Sequence, residues 1–380
     1  KGGGALAARA AAVSGMGGKL YAPSRGLEWP RRARAGVLPG IAHIVILGLV
    51  MLVLNLMVGE VVLRTKGDHQ LAGYAYKYVG PWGGRFMALS LVVGIYGALT
   101  AYLIGMGESL VQLFRGAQLY WMLGAFAVLG LLLAQRLAVI ERSERYLSAA
   151  KIGIIIIVSV IAFSSAQFTT ENFTSPRSWT LPFGVVLFSF LGTAAIPEVR
   201  EELKGNFKKL KGVLVWSSII PIIVYSMFAL AAVGITGEAA SEIATVRLGQ
   251  FLGQNALILL NVFAIIAMTS AFLALGEALK KMFEEDYGWS SPAAWGATLI
   301  IPLIIVLLGT RSFINVIGIT GAIAGGIDGV IIVLMYRAAM RQGDRKPEYK
   351  TNVPVVLQLV VIGVFVLALA WSIAEATRLL

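Results

Sequence analysis

Apolar residues in this chain gather into ten stretches separated by short polar connections. They lie near 38–63, 86–107, 117–135, 147–166, 181–197, 212–234, 251–276, 292–309, 312–335 and 353–373. A helix of about 20 apolar residues crosses the hydrocarbon core of a bilayer. Every stretch therefore spans it or nearly spans it. None shows the alternation of apolar and polar positions that marks a transmembrane barrel strand. The pattern predicts an all-α, polytopic membrane protein.

One stretch departs from the rest. LPFGVVLFSFLGTAAIPEVREELK, residues 181–204, begins as a membrane helix, stops at Gly192-Thr193-Ala194-Ala195 and restarts at Pro197. Glycine just past a helix end and proline just inside a helix start are the usual punctuation. Here they fall within an apolar segment, where backbone amides find no water. Such a break persists only where it is buried in protein or lines a cavity. It is expected to be a binding site, with free carbonyls on one side and free N–H groups on the other. Those groups suit an ammonium and a carboxylate, the two charges of an amino acid. The bland alternative is a proline kink re-bonded by Ser189 or Thr193.

Composition supports the membrane reading. The chain is 58% hydrophobic and 14% charged, against about 25% charged in soluble domains. It has no cysteine, which removes disulfides, thiolate metal sites and cysteine nucleophiles. Two histidines, His43 and His69, do not make a metal cluster. The net charge of +12 is expected from the positive-inside rule rather than from nucleic-acid binding. Alternate connections support this. Those holding Arg64, Lys77, Arg85, Arg142, Arg145, Lys208, Lys209, Lys281, Arg341 and Lys346 are rich in Lys and Arg. The others hold only Arg115, Arg177, Arg247, Arg311 and Arg378. The rich set is assigned to the cytoplasm. Residues 1–37 also carry seven basic residues, so the same rule predicts one further crossing before residue 38. The tail is mostly Gly, Ala and Arg, the residues that GC-rich codons yield out of frame. It is expected to stand where a first helix was lost by truncation or frameshift, a natural disordered tail being the alternative. Residues 38–375 are expected to form one transmembrane domain.

FSFLGTAAIPEVREELKG, VMLVLNLMVGEVVLRTKGDHQLAGYAYKYVG and GITGAIAGGIDGVIIVLMYR resemble the amino acid/auxin permease and aromatic amino-acid permease families of the amino acid–polyamine–organocation superfamily. The resemblance covers roughly residues 36–375. It implies the five-plus-five inverted-repeat transporter fold, eleven helices and a cytoplasmic N-terminus. Ten helices are visible here, and the one without a counterpart is the family's first. Family members bind substrate between the unwound first and sixth helices. Carried over to the sixth, Phe190, Leu191, Gly192, Thr193, Ala194 and Ala195 are expected to line the site. The family's third helix walls it, which makes Tyr96 the candidate side wall. Tyr102 is expected in the interfacial belt.

Five further residues are candidates for coupling or gating. Glu60 either pairs with Arg64 one turn on or, as the family's second-helix glutamate implies, bonds the backbone of 192–196. Glu108 sits near the outer end of its span. Thr269 and Ser270, with Asn261, lie where hydroxyls coordinate an ion in sodium-coupled relatives, or they serve packing. Asp328 is the acidic residue deepest in an apolar segment, where a carboxylate titrates or pairs. Its neighbours Gly321, Gly325 and Gly329 read as a close-packing face. Asn55 is expected to make a helix–helix hydrogen bond, His43 to lie near the outer interface, with a proton relay as the alternative, and Glu277, just before Lys280 and Lys281, to make a cytoplasmic gate or interface pair.

The sequence thus predicts a secondary active amino-acid transporter in the cell membrane, coupled to H+ or Na+ and working by alternating access. No enzymatic activity, metal, organic cofactor or nucleic-acid partner is expected. The expected partners are the amino acid and the lipid bilayer. The rival readings are a same-fold transporter of another small substrate, such as a polyamine or nucleobase, and a truncated, non-transporting remnant. The small residues at 192, 194 and 195 favour a large side chain on the substrate, aromatic or branched.

Overall fold

A computed structural model of the chain describes residues 37–135, 152–161, 163, 183–203, 205–236, 253–285, 287–310 and 312–379. The basic tail expected to replace a first helix lies outside the described residues. Helices occur at each of the ten apolar stretches. They are α1 (Val37–Arg64), α3 (Pro81–Phe114), α4 (Gln118–Ala134), α5 (Ile152–Ile161), α6 (Phe183–Phe190) continued by α7 (Ile196–Glu202), α8 (Leu210–Thr236), α9 (Gln254–Glu285), α10 (Ser291–Leu307), α11 (Phe313–Gln342) and α12 (Val355–Leu379). One helix was not expected. α2 (Leu71–Val79) is a nine-residue piece between α1 and α3, too short and too polar for a search based on spans.

Hydropathy placed the ends of α1, α4 and α10 to within two residues and missed helix ends that are polar. α3 runs from Pro81 to Phe114, seven residues beyond the predicted stretch on the far side. Its outer turns, carrying Glu108, Ser109 and Gln112, keep helical geometry although they are polar. α11 starts at a serine cap. Ser312 Oγ accepts the Asn315 N–H at 3.2 Å, which satisfies one of the donors a helix start leaves open. Replacing Ser312 by alanine should cost about 1 kcal/mol, read as a small fall in the thermal unfolding midpoint of the purified protein. An unchanged midpoint would show that the cap contributes nothing.

Two buried apolar clusters form the interior. The first joins α1, α2, α8, the last turns of α11 and the start of α12, around Met51, Leu54, Tyr74, Leu214, Phe228, Tyr336 and Phe365. The second joins α3, α4, α9, α10 and the start of α11, around Leu99, Tyr102, Met122, Phe272, Leu299 and Ile317. α6 lies between them and divides its side chains. Val186, Leu187 and Phe190 belong to the first cluster and Val185 and Phe188 to the second, while Leu191 packs against both.

α6 and α11 cross at a close approach built from glycine. A Cβ placed on Gly184 would meet Gly318 O at 2.1 Å, and one on Gly321 would meet Gly184 O at 2.1 Å. Gly325 faces Leu187 of α6, but Gly329 faces Phe365 of α12. The three glycines therefore do not share one face. Four residues overshoot a 3.6-residue turn by about 40°, so two such steps rotate Gly329 by about 80° from Gly321.

A strap closes the basic end. The connection between α11 and α12 folds back along the last turns of α1. Asp344 N–H and Arg345 N–H donate to Arg64 O at 2.8 and 3.1 Å. The Asp344 carboxylate accepts from Lys66 N–H at 3.0 Å and pairs with Lys77. The hydrogen bond from Lys77 holds the Asp344 carboxyl below the usual range. Tyr349 Oη donates to Leu56 O at 2.8 Å, over Gly59, where a Cβ would lie 2.2 Å from the hydroxyl. Burial pushes the Tyr349 phenol up. Arg200 of α7 pairs with Asp68 and donates to Gly67 O at 3.1 Å, tying the restarted helix to the α1–α2 connection.

Candidate substrate site at the broken helix

α6 ends at Phe190 and its backbone does not continue into α7. Leu191 N–H reaches Phe188 O at 3.3 Å, a tightened last turn. Gly192 is extended, with φ −169°. Thr193–Ala195 form a single 3-10 turn, with Ala195 N–H on Gly192 O at 3.2 Å. α7 then starts at Ile196, one residue before the proline. Pro197, second in α7, lacks the N–H that an entering helix leaves unpaired. Three donors remain: among the described residues, the N–H groups of Gly192, Thr193 and Ala194 have no backbone acceptor. Ser189 does not repair the break. Its hydroxyl donates to Val185 O at 2.9 Å, one turn back within α6.

The break is enclosed. Phe190, Thr193 and Ala195 are buried, and Leu191, Gly192 and Ala194 are partly buried. On one side the Phe190 ring lies against Tyr225 of α8, centroids 5.3 Å apart. On the other stands the second apolar cluster, with Tyr102, Phe188 and Leu191. Of the six break residues predicted from the sequence, Phe190, Leu191 and Ala194 pack in the first cluster, and Leu191 also packs against the second.

The predicted tyrosine does not face them. Tyr96 Oη donates to Ala297 O of α10 at 2.8 Å, which turns its ring toward α10. Tyr102, expected at the interface, is 2% exposed and belongs to the cluster that holds Phe188. The six-residue offset between the two tyrosines puts them on different faces of α3, and the family position alone did not say which face met α6. Tyr225 was not singled out at all, because a tyrosine in an apolar span carries no signal of its own.

Glu60 adopts the first of its two expected roles. Its Oε1 accepts from Arg64 Nε at 2.9 Å and Nη2 at 2.7 Å, and its Oε2 accepts Thr351 N–H at 2.6 Å. Both oxygens are engaged at the strap rather than at 192–196. Asn55 Nδ2 donates to Ser218 Oγ of α8 at 3.2 Å, a helix–helix bond. His43 Nδ1 lies 2.7 Å from Pro39 O. Thr269 Oγ1 points to Met106 Sδ at 3.7 Å, and Ser270 Oγ donates to Ala267 O at 3.0 Å. Asn261 Nδ2 donates to Leu257 O at 2.8 Å. These three make contacts within α9 or to α3. Glu108 is partly buried near the far end of α3. Glu277 pairs with Lys280 at 3.5 Å, and that lysine is almost fully buried. Asp328 faces α3, where Ser90 Oγ lies 2.6 Å from its Oδ1. Ser90 was missed because a lone serine in an apolar helix is usually packing.

Comparisons with known proteins agree with this architecture. A family model described as the tryptophan/tyrosine permease family matches residues 30–372. Glutamine transporter 2 of Aliivibrio fischeri (strain ATCC 700601 / ES114) is 22% identical over 290 residues, which is 70% of this chain and 73% of that protein. Among solved structures, MhsT in complex with L-phenylalanine has a TM-score of 0.63 at 16% identity, covering 98% of both chains. The inward-facing conformation of Mhp1 has a TM-score of 0.63 at 12% identity, covering 98% of this chain and 90% of that one. The closed conformation of the same transporter, of the nucleobase-cation-symport-1 family and with bromovinylhydantoin bound, has 0.58 at 12% identity, covering 98% and 92%. The fold is that of the five-plus-five inverted-repeat transporters.

Proposed function

From the premise that the chain belongs to the tryptophan/tyrosine permease family, we propose that this multi-pass membrane transporter carries aromatic amino acids, driven by an ion gradient, and holds them at the break between α6 and α7. The observation that carries this reading is the set of three N–H donors at Gly192, Thr193 and Ala194, enclosed where two apolar clusters meet. Unpaired donors in a water-poor site favour an anionic group such as a carboxylate. The small side chains of Ala194 and Ala195 leave room, and the rings of Phe190, Tyr225 and Tyr102 offer an apolar and aromatic surface. An amino acid whose side chain is a flat ring matches both halves.

The expected transport cycle uses the division of α6 between the clusters. If the α1/α8 side tilts against the α3/α9 side, α6 and α7 shift relative to one another at the residues that lack helical bonds. The site then opens to one face of the membrane and closes to the other. No covalent step is involved.

Uptake of labelled tryptophan, tyrosine, phenylalanine and glutamine into proteoliposomes containing the full chain tests the proposal. Saturable uptake of the aromatic substrates is expected. Ala194→Trp, which places a ring in the space assigned to the substrate, should lower uptake about tenfold, since a filled site forfeits at least about 1.4 kcal/mol of binding. Uptake equal to empty liposomes, or Ala194→Trp protein that transports like wild type, would remove the site from the break.

A further inference from the structure

Asp328 lies midway along the 30-residue α11 and is 5% exposed. Its recorded bond is with the Ser90 hydroxyl of α3, 2.6 Å from Oδ1. The same hydroxyl is 2.8 Å from Ala324 O, one turn earlier on α11. A serine hydroxyl has one proton to donate. It does not satisfy two acceptors at full strength. The count closes when Asp328 itself carries a proton. The carboxylic acid then donates to Ser90 Oγ, and Ser90 donates to Ala324 O.

A neighbouring cation would offer another solution, but among the described residues the surrounding elements hold theirs elsewhere. On α3, Arg85 lies over the Trp82 ring. Tyr96 and Tyr102 bring no charge, and Glu108 is 18 residues from Ser90, about 27 Å along the helix. On α2, Lys77 pairs with Asp344, beside the uncharged phenols of Tyr74, Tyr76 and Tyr78. On α1, Arg64 is held by Glu60 and His43 lies against Pro39 O. α6 has no titratable residue. α12 presents Phe365 and Leu369 to the glycines flanking Asp328. On α11, Arg337 donates to Gln358, while Tyr336 and Arg341 lie two or more turns beyond. An ionised Asp328 in this packing would be a buried, uncompensated charge, which is costly.

We infer that Asp328, Ser90 and the Ala324 carbonyl form a proton-binding site whose occupancy fastens α11 to α3. The inference rests on the transporter reading and names its coupling ion. When the proton leaves to water, the carboxylate has to be hydrated and the α3–α11 seam has to part. α11 grips α6 through Gly321 and Gly325, so parting of that seam displaces the segment that ends at the break. The proton is taken from water on one side of the membrane and returned to water on the other.

Infrared spectroscopy of the purified full chain at neutral pH reads the site directly. The C=O stretch of a buried protonated carboxylic acid is expected. It should vanish in Asp328→Asn and shift in Ser90→Ala, which removes the acceptor. In proteoliposomes, an inward gradient of one pH unit should drive about tenfold accumulation with one proton per substrate. Asp328→Asn, which mimics the neutral acid, should lose that accumulation yet still exchange labelled for unlabelled substrate. Absence of the acid band overturns the inference. So does pH-driven accumulation by Asp328→Asn at the wild-type level, or accumulation that follows sodium and ignores pH. If Asp328→Asn does not fold, the response of the band to Ser90→Ala decides. If the wild-type chain exchanges no amino acid, the transporter reading fails, and the band still decides the proton site.

Discussion

Gly321→Ala is expected to yield little or no folded protein. The new Cβ would lie 2.1 Å from Gly184 O, 2.6 Å from Phe188 Cβ and 2.8 Å from Phe188 N. Non-bonded heavy atoms rest at about 3.5–4.0 Å. The obstructing atoms are backbone or fixed to it, so no rotamer relieves the clash. α6 and α11 would have to separate along the crossing, and each ångström of separation forfeits much of the dispersion energy of the seam. The cost should reach or exceed about 3 kcal/mol, the upper part of the range for overpacking. Gly184→Ala meets Gly318 O at 2.1 Å from the other side and should fail in the same way. Gly212→Ala on α8 is the control, because nothing lies within 4 Å of its Cβ. There alanine should be neutral, or stabilise by up to about 1 kcal/mol through helix propensity. The yield of monodisperse protein and its thermal midpoint measure the difference. Equal behaviour of Gly321→Ala and Gly212→Ala would mean that the two helices do not cross as described.

The second large effect lies at the opposite end of the fold. Glu60→Gln should destabilise by about 3 kcal/mol, the lower end of the cost of breaking a buried ion pair by removing one partner. Glu60 is 1% exposed and Arg64 is 14% exposed, so the orphaned guanidinium recovers little water. The amide also turns one donor toward another, either Arg64 or Thr351 N–H, where the carboxylate accepted from both. The strap should loosen, and chymotrypsin should cut beside Tyr349 faster than in wild type. Lys77→Ala, which opens the exposed pair with Asp344, should change stability far less, since exposed pairs contribute little. A Glu60→Gln protein no weaker than Lys77→Ala would return Glu60 to a role other than the strap.

The spans and the break were legible in the sequence for one physical reason. Both are written in single residues with strong local preferences: long apolar runs, a glycine that ends a helix and a proline that starts one. Gly192 and Pro197 marked the break to within a residue of its observed limits. What the sequence left open was azimuth. Tyr96 and Tyr102 are both on α3, and only the packed structure shows Tyr102 on the side of α6. Gly329 joins Gly321 and Gly325 in spacing but not in face. Ser90 and Asp328 are 238 residues apart, and nothing local to either announces the other. Glu60 was ambiguous for a related reason. Its pairing with Arg64 is local and visible, whereas the Thr351 N–H that takes its second oxygen arrives from the far end of the chain.

The segment Phe183–Glu202 has a further consequence, for how the protein comes to be assembled. Among the six helices long and apolar enough to cross a membrane in the described residues, it is the least apolar and the most enclosed by protein. α6 alone has eight residues, fewer than the about 12–15 that hold a helix together without tertiary support. Lipid therefore offers this segment less reason to enter the bilayer than it offers the other five, and the backbone of α6 offers little reason to stay coiled once there. Its neighbours must supply both, α11 through the glycine crossing and α1 through the first apolar cluster. Since α11 is made more than a hundred residues later, the piece proposed to hold the substrate is expected to settle among the last, after the walls around it are standing.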